Sequence, residues 1–426
     1  MQSWRLLVPI LLATTLACAP TEAQLSGGEW TRFRGEHSAG AGEAPAIPTQ
    51  WTHDDYTWRV PLPGLGHSSP VVWGTRIYVT SAVQEDATRH VLCLDTADGR
   101  TVWQRSFPTA TFDLGNATAY DASSPAVDED RVYIVWANPN ECILLALDRH
   151  NGETLWRRDL GPIDSEHGFG TSPIVFEDLV IQLGDNKAES WIAALDRATG
   201  EVRWRAGRDA VKTAFCTPLV YQPEGGRPQL ITTGWGPGFT AYDPHSGRRL
   251  WQLPVFDFRC VASPLAAGGL IFGSSGTGGG GRQMFAVRPG VPEKGIDAEV
   301  VYELTGSLPY VPTPVAHGDL LFLWNDAGVV QCVDIPTGNV HWRERVGGRY
   351  FGSPVRVEDR LYGISREGKV VVLAATREYR LLAEIDLEEP SHSTPVVAGG
   401  VMYLRTFSHL MALGGPPQRR RPHEPF

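Results

Sequence analysis

An eleven-residue pattern, Ala-x-Asp-x-x-x-Gly-x-x-x-Trp, recurs along this chain and limits what it can fold into. Ala146, Asp148, Gly152 and Trp156 fit it in full, as do Ala194, Asp196, Gly200 and Trp204, and Ala241, Asp243, Gly247 and Trp251. Two further copies carry Cys in place of Ala: Cys93, Asp95, Gly99 and Trp103, and Cys332, Asp334, Gly338 and Trp342. Each position has a physical role. Glycine supplies a positive φ for a tight turn between two strands. Aspartate binds backbone N–H groups and pins that turn. Tryptophan is wide enough to bridge to a neighbouring unit, with its indole N–H finding a carbonyl.

A second mark, Ser-Pro or Thr-Pro before an apolar run, occurs eight times, at Pro70, Pro125, Pro173, Pro218, Pro264, Pro314, Pro354 and Pro395. Successive prolines lie 40 to 55 residues apart, the length of four short strands. Segments such as 71–79 and 355–362 alternate, turn and alternate again, as hairpins do. Two repeats are degenerate. In the fifth, an insertion follows Ala286 and Tyr302 takes the place of Trp; in the seventh, Val372-Leu373-Ala374 begins the pattern and no Trp follows. The eighth stops at Leu413 without a fourth strand, while Tyr56-Thr57-Trp58-Arg59-Val60 reads as a fourth strand without its sheet. Joining the two closes a ring and removes the exposed sheet edges. The expectation is all-β: an eight-bladed β-propeller of four-stranded antiparallel blades over residues 48–414.

The repeat resembles the tryptophan-docking motif of the pyrroloquinoline quinone (PQQ) dehydrogenase-like propellers. The segment Trp30-Thr31-Arg32-Phe33-Arg34-Gly35 and the run from Gly64 to Pro70 also resemble exported PQQ-binding-like repeat proteins. The resemblance implies one of two classes: dehydrogenases that hold PQQ and Ca²⁺ in the central channel, or scaffolds such as the propeller lipoprotein of the outer-membrane β-barrel assembly machinery. The adjacent Cys-Cys pair of the alcohol dehydrogenases is absent, as is a Cys-x-x-Cys-His haem motif, and no acidic cluster suggests a Ca²⁺ site. A PQQ- or Ca-dependent oxidoreductase therefore stands second to a non-catalytic binding protein, and no cofactor is expected.

The 48 acidic and 38 basic residues leave a net charge of −10, and no basic face argues for nucleic acid. Arg5 followed by the apolar run Leu6–Ala13 has the length of an export signal and is too short to span a bilayer. Cys18 after Ala17 resembles a lipidation site; cleavage after Ala23 with simple secretion is the competing reading. Residues 1–23 are accordingly read as a signal, 24–47 as a flexible linker, and 415–426, with Arg419-Arg420-Arg421, as a disordered tail. A monomer in the periplasm or on the outer membrane is expected, with unknown envelope proteins as partners. The remaining five cysteines are scattered; Cys216 and Cys260 could pair, but free buried thiols acting as small hydrophobes is the simpler reading.

Little else suggests chemistry. The run Gly276–Gly281 lacks the Lys-Ser or Lys-Thr of a phosphate loop and reads as a hairpin turn. The residues ahead of each Ser-Pro or Thr-Pro include His67, Asp121, His167, Lys212, Arg259, Tyr310, Tyr350 and His392. If the pair opens the channel-lining strand, these surround one mouth and could bind a small polar ligand; the plainer expectation is that they cap the blades and face water. Trp235 falls in a turn, either as a binding aromatic or packed on a neighbouring loop.

Overall fold

The computed structural model describes residues 28–114 and 119–415. The export segment, Cys18 and the tail beyond Gly415 lie outside these residues. Eight four-stranded antiparallel sheets follow one another around a channel, and no α-helix occurs among the described residues. Blades 1 to 7 span 71–107, 126–159, 174–208, 219–253, 265–303, 315–345 and 355–386. Blade 8 combines 396–414 with Tyr56–Pro61, which pairs antiparallel with His409–Gly414 in the register Trp58↔Ala412 and Pro61↔His409. The ring is thus closed by the strand Tyr56–Pro61 joining the last sheet, as expected.

The repeat explains how the blades dock. Each indole reaches the next blade: Trp58 Nε1 donates to Thr96 O (2.9 Å), Trp103 to Arg149 O (3.1 Å), Trp156 to Arg197 O (3.0 Å), Trp204 to Pro244 O (2.9 Å) and Trp342 to Thr376 O (3.0 Å). The repeat's glycine lies beneath that ring. Gly200, at φ +68°, would place a Cβ only 2.5 Å from Trp156 Cδ2, so both the turn and the packing exclude a side chain. Its aspartate caps the same turn, with Asp196 Oδ1 accepting from the N–H groups of Ala198 and Thr199, both at 2.9 Å. The Ala or Cys pairs directly across from the Trp, as in Ala194↔Trp204 and Cys332↔Trp342. A small side chain there leaves room for the indole on the shared face. In blade 5, Tyr302 does take the Trp place: its hydroxyl donates to Ile335 O, and its ring covers Gly338. The irregularity that follows is at blade 4, whose Trp251 Nε1 donates to Gln229 Oε1 (2.8 Å) of its own sheet.

Residues 28–47 do not form a tether, which corrects the expectation from their small, polar, Pro-containing composition. They pack on the ring. Trp30 exchanges backbone hydrogen bonds with Val72 of blade 1, and Thr31 O accepts from Val127 N of blade 2. Arg34, 1 % exposed, donates to Thr313 O and Pro314 O of blade 6 and to Pro354 O of blade 7. Ala41–Gly42 then adds a short parallel strand to blade 7. The apolar residues Trp30, Ala44, Ile47 and Trp51 are buried with blades 7, 8 and 1.

This segment repairs the seam where the repeat fails. In blades 1, 2, 6 and 8 an aromatic of the second strand stands 5.9–6.0 Å from the docking Trp. Blade 7 keeps that aromatic, Tyr362, but has no Trp of its own. Trp51 supplies one, 6.4 Å from Tyr362 at a comparable tilt. Tyr78 and Tyr133 donate to carbonyls of the next blade, whereas Tyr362 donates to Pro48 O. The fold therefore includes residues 28–47, ahead of the start expected at 48.

Candidate functional site: one end of the central channel

The eight Ser-Pro and Thr-Pro pairs form a closed belt around the channel. The backbone N–H of each Ser or Thr donates to the hydroxyl of the corresponding residue in the next blade: Ser69 to Ser124, Ser124 to Ser172, Ser172 to Thr217, Thr217 to Ser263, Ser263 to Thr313, Thr313 to Ser353, Ser353 to Thr394 and Thr394 to Ser69, at 2.8–3.3 Å. The sequence reading recognised the pair only as the start of a strand. Its hydroxyl gives a buried N–H an acceptor at a place where proline leaves the strand without a further donor.

One end of the channel is crossed by residues 30–40, with Phe33 forming the floor. Above the belt lies a cavity of about 650 Å³, walled by all eight blades and open at its outer end. Its lower wall follows a period of two. The residue three before each proline faces inward: His67, Ala122, Gly170, Phe215, Val261, Val311, Phe351 and His392. This layer is mainly apolar, and charged groups gather above it.

Of the residues predicted to ring the mouth, His67, His167, Lys212, Arg259, Tyr310 and His392 line the cavity. Asp121 and Tyr350 do not. Both stand four before a proline, where an extended chain points the side chain away from the channel. Asp121 accepts from Thr80 Oγ1 and pairs with buried Arg405 at 3.5 Å, and burial raises its pKa. Tyr350 is 1 % exposed and stacks against Trp324 at 5.3 Å. Missed from the sequence were Arg349 and Arg366, which come from a loop and a turn, and Arg282, near the start of the strand Gly280–Arg288, none of them carrying a repeat mark, together with Phe215 and Phe351, which a fixed count back from each proline would have found. Trp235 joins the wall, with Lys212 Nζ 5.8 Å from its ring centre. The Gly276–Gly281 run is the hairpin turn expected of it, and Gly276 and Gly278 reach the cavity.

The charge of this wall is opposite to that of the chain. Lys212, Arg259, Arg282, Arg349 and Arg366 stand against Glu166 and Asp326. Both carboxylates are held by other groups. Glu166 pairs with Lys187 at 2.6 Å and with Arg259 at 3.4 Å, and the Lys187 ammonium draws its pKa down to about 2. Asp326 pairs with Arg282 and accepts from the N–H groups of Tyr310 (2.8 Å) and Val311 (3.0 Å). His67 and His392 lie ring to ring at 4.4 Å. Burial, then the neighbouring His392 and the Arg405 and Arg366 guanidinium groups, keep His67 well below the usual imidazole range; burial and then Arg366 bring His392 down to about 4. Both rings are therefore neutral near pH 7.

A family model described as outer membrane protein assembly factor BamB matches residues 51–206, 188–287 and 326–413, most of the chain. The chain belongs to this BamB-like family of PQQ-type repeat propellers. Solved structures similar to it include BamB from Moraxella catarrhalis (14 % identity, TM-score 0.63, covering 84 % of this chain and 98 % of that one). The quinohemoprotein alcohol dehydrogenase ADHIIG from Pseudomonas putida HK5 is also similar (14 %, TM-score 0.64, 94 % and 82 %), as is the computationally designed Ika8 protein (10 %, TM-score 0.62, 84 % and 99 %). No curated protein sequence is similar to the chain. At these identities the structural likeness establishes the BamB-like propeller fold and leaves open which of its uses applies.

The residues present do not fit a Ca²⁺–quinone pair. Such an ion needs several convergent oxygen ligands, and the two carboxylates of the cavity wall are already bound to cations and backbone donors. Among the described residues no three His, Cys, Asp or Glu side chains come together as a metal-binding group. Cys93, Cys142, Cys216, Cys260 and Cys332 are free and buried, so Cys216 and Cys260 are not bonded to each other.

Proposed function

We propose that this chain is an exported, non-catalytic binding propeller of the cell envelope, and that the open mouth of its channel is the recognition site. The observation that carries this reading is the blind, all-blade cavity, in which unpaired cationic and aromatic groups converge while both carboxylates are consumed by structural pairs. Neither carboxylate of that wall is free to act as a general base, since a base must reach the substrate in its unprotonated, available form. A rigid ring also suits binding, because little conformational freedom is lost when its loops engage. The apolar run after Arg5 and the family description support placement in the envelope. Lipidation at Cys18 and an envelope protein as partner belong to the same proposal.

Site-specific photocrosslinking tests it. A photoreactive residue replaces exposed His167 at the cavity rim, or exposed His150 in a blade-docking turn, in the chain expressed in its host. Adducts from position 167 and none from 150 are expected. Adducts confined to position 150 would overturn the assignment. A mass increment at Cys18, lost on Cys18→Ser, checks the anchor. Purified protein offered PQQ and Ca²⁺ is expected to retain no quinone absorbance after desalting; a retained band would favour the oxidoreductase reading instead.

A further inference from the structure

We infer that the face of the ring opposite the mouth is turned toward the membrane, and that Arg419-Arg420-Arg421 binds the headgroups of anionic phospholipids there. This rests on the placement in the envelope proposed above and adds a lipid-binding site and an orientation.

The leading strand of blade 1 runs from the mouth to the opposite face. His67 lines the mouth, Ser69 belongs to the belt, and Gly74 turns the chain after Val71–Trp73. The docking turns lie at that second end, where Thr96 N donates to Thr75 O at 3.1 Å. Gly28 and Gly415, the outermost described residues, both line one cavity of about 300 Å³ at the seam of blades 8 and 1, together with Gly74, Thr96, Ala97 and Gly399. Gly415 N also donates to Gly400 O at 3.2 Å. Both ends of the described chain therefore leave the ring side by side, on the face away from the mouth.

Covalent geometry limits how far the flanking residues reach. Cys18 precedes Gly28 by ten residues and lies within about 35 Å of it; Arg419 follows Gly415 by four and lies within about 14 Å. An anchor at Cys18 and the basic run thus serve the same face, with the mouth a strand length, about 20 Å, behind it. Arg419-Arg420-Arg421 is the only run of three basic residues in the chain. Each Arg at an anionic lipid surface strengthens binding about fivefold. A single acyl chain holds a protein only reversibly, and a basic cluster beside it supplies the second signal that a stable anchor needs. Four carboxylates of this face are moreover engaged by cations: Asp95 by Arg76 at 2.8 Å, Glu129 by Arg197 at 2.7 Å, Asp178 by Arg203 at 3.2 Å and Asp319 by Arg377 at 2.6 Å. Such pairing lowers their repulsion of an anionic surface.

Residues 24–426 hold every described residue of the ring and lack both Cys18 and the apolar run Leu6–Ala13, which would itself enter lipid. Flotation of this protein with vesicles of phosphatidylcholine, alone or mixed with phosphatidylglycerol, tests the lipid site. Binding to the anionic vesicles is expected to be at least about tenfold tighter and to weaken in high salt. It should fall to the phosphatidylcholine level when Arg419→Gln, Arg420→Gln and Arg421→Gln are combined, with the circular dichroism of the ring unchanged. A fluorophore at Ala97→Cys, on the docking-turn face, or at His167→Cys, on the rim, reports the orientation, since the native cysteines of the ring are buried. Quenching by a headgroup spin label is expected at position 97 and not at 167. Equal binding to both vesicles, or undiminished binding of the triple variant, overturns the lipid site. Quenching at 167 in place of 97 would put the cationic mouth on the membrane and overturns the orientation. Neither readout involves Cys18 or a protein partner, so a missing mass increment at Cys18 or absent rim crosslinks sinks those assignments and leaves this one standing.

Discussion

Replacing Gly200 by Ala should be far more damaging than replacing Gly74, although both glycines have positive φ. Gly74 sits at φ +55° with nothing within 4 Å of an added Cβ, so Gly74→Ala meets only the left-handed backbone penalty, about 1 kcal/mol. Gly200, at φ +68°, meets the same penalty and also drives a methyl against Trp156, 2.5 Å from Cδ2. The indole is held between blades and bonded to Arg197 O at 3.0 Å. Displacing it adds an overpacking cost of about 1–3 kcal/mol and forfeits a hydrogen bond worth about 1 kcal/mol. Gly200→Ala should therefore cost about 3 kcal/mol or more, some 2 kcal/mol beyond Gly74→Ala. Urea unfolding followed by circular dichroism and Trp emission measures both. The cause can be isolated with Trp156→Ala: if the penalty arises from the ring, the two substitutions together should cost at least about 2 kcal/mol less than their sum. Equal losses for the two glycine variants, or additivity with Trp156→Ala, would refute the account of blade docking given above.

Three further outcomes are expected. Ser263→Ala breaks one link of the belt and strands the buried N–H of Thr217 (2.9 Å from Ser263 Oγ), costing about 1–3 kcal/mol, whereas Ser263→Thr should be nearly neutral; thermal melts of the two decide it. Trp51→Ala should open the seam between blades 7 and 8, with a loss of about 3–5 kcal/mol and early proteolysis within residues 28–55, read by limited digestion. Acid should weaken the fold through His392. Its folded pKa of about 4 lies below the unfolded value near 6.5, so the unfolded chain binds more protons in that window. The neutral ring's contribution is complete above about pH 6.5 and is lost as the pH falls toward 4, by at most about 3 kcal/mol; His392→Gln, which keeps an acceptor for Arg366, should flatten that part of the pH profile of unfolding midpoints.

The ring was legible in the sequence because one short pattern encodes both a turn and its neighbour. Gly200 and Trp156 are 44 positions apart in sequence, yet each is recognisable locally, and the closing strand around Trp58 announced itself as a fourth strand lacking a sheet. Residues 28–51 carry no repeat mark, since they act once. Trp51 looks like a stray aromatic until the missing Trp of blade 7 is set beside it. Counting repeats identifies the broken seam; nothing in a repeat pattern says what distant segment fills it.

The mouth was only half legible, for a different reason. Chemical type singled out His67, Asp121, Tyr350 and His392 alike, but geometry divides them by parity. An extended chain turns alternate side chains to opposite sides, so the third residue before each proline enters the channel while Asp121 and Tyr350, at the fourth, face away from it. Tyr310 shares that fourth position and still reaches the cavity, drawn to the wall where its N–H bonds Asp326. The rule therefore orders the lower wall, where strand geometry governs, and loosens at the rim, where loops do. Arg366, in a turn, belongs to that looser region, and with Lys212, Arg259 and the strand residue Arg282 it makes the mouth cationic in an acidic chain. The belt and the lower wall follow from the repeat that builds the ring; the charge at the mouth follows from residues the repeat does not specify, and that is where recognition in this propeller can differ from its relatives.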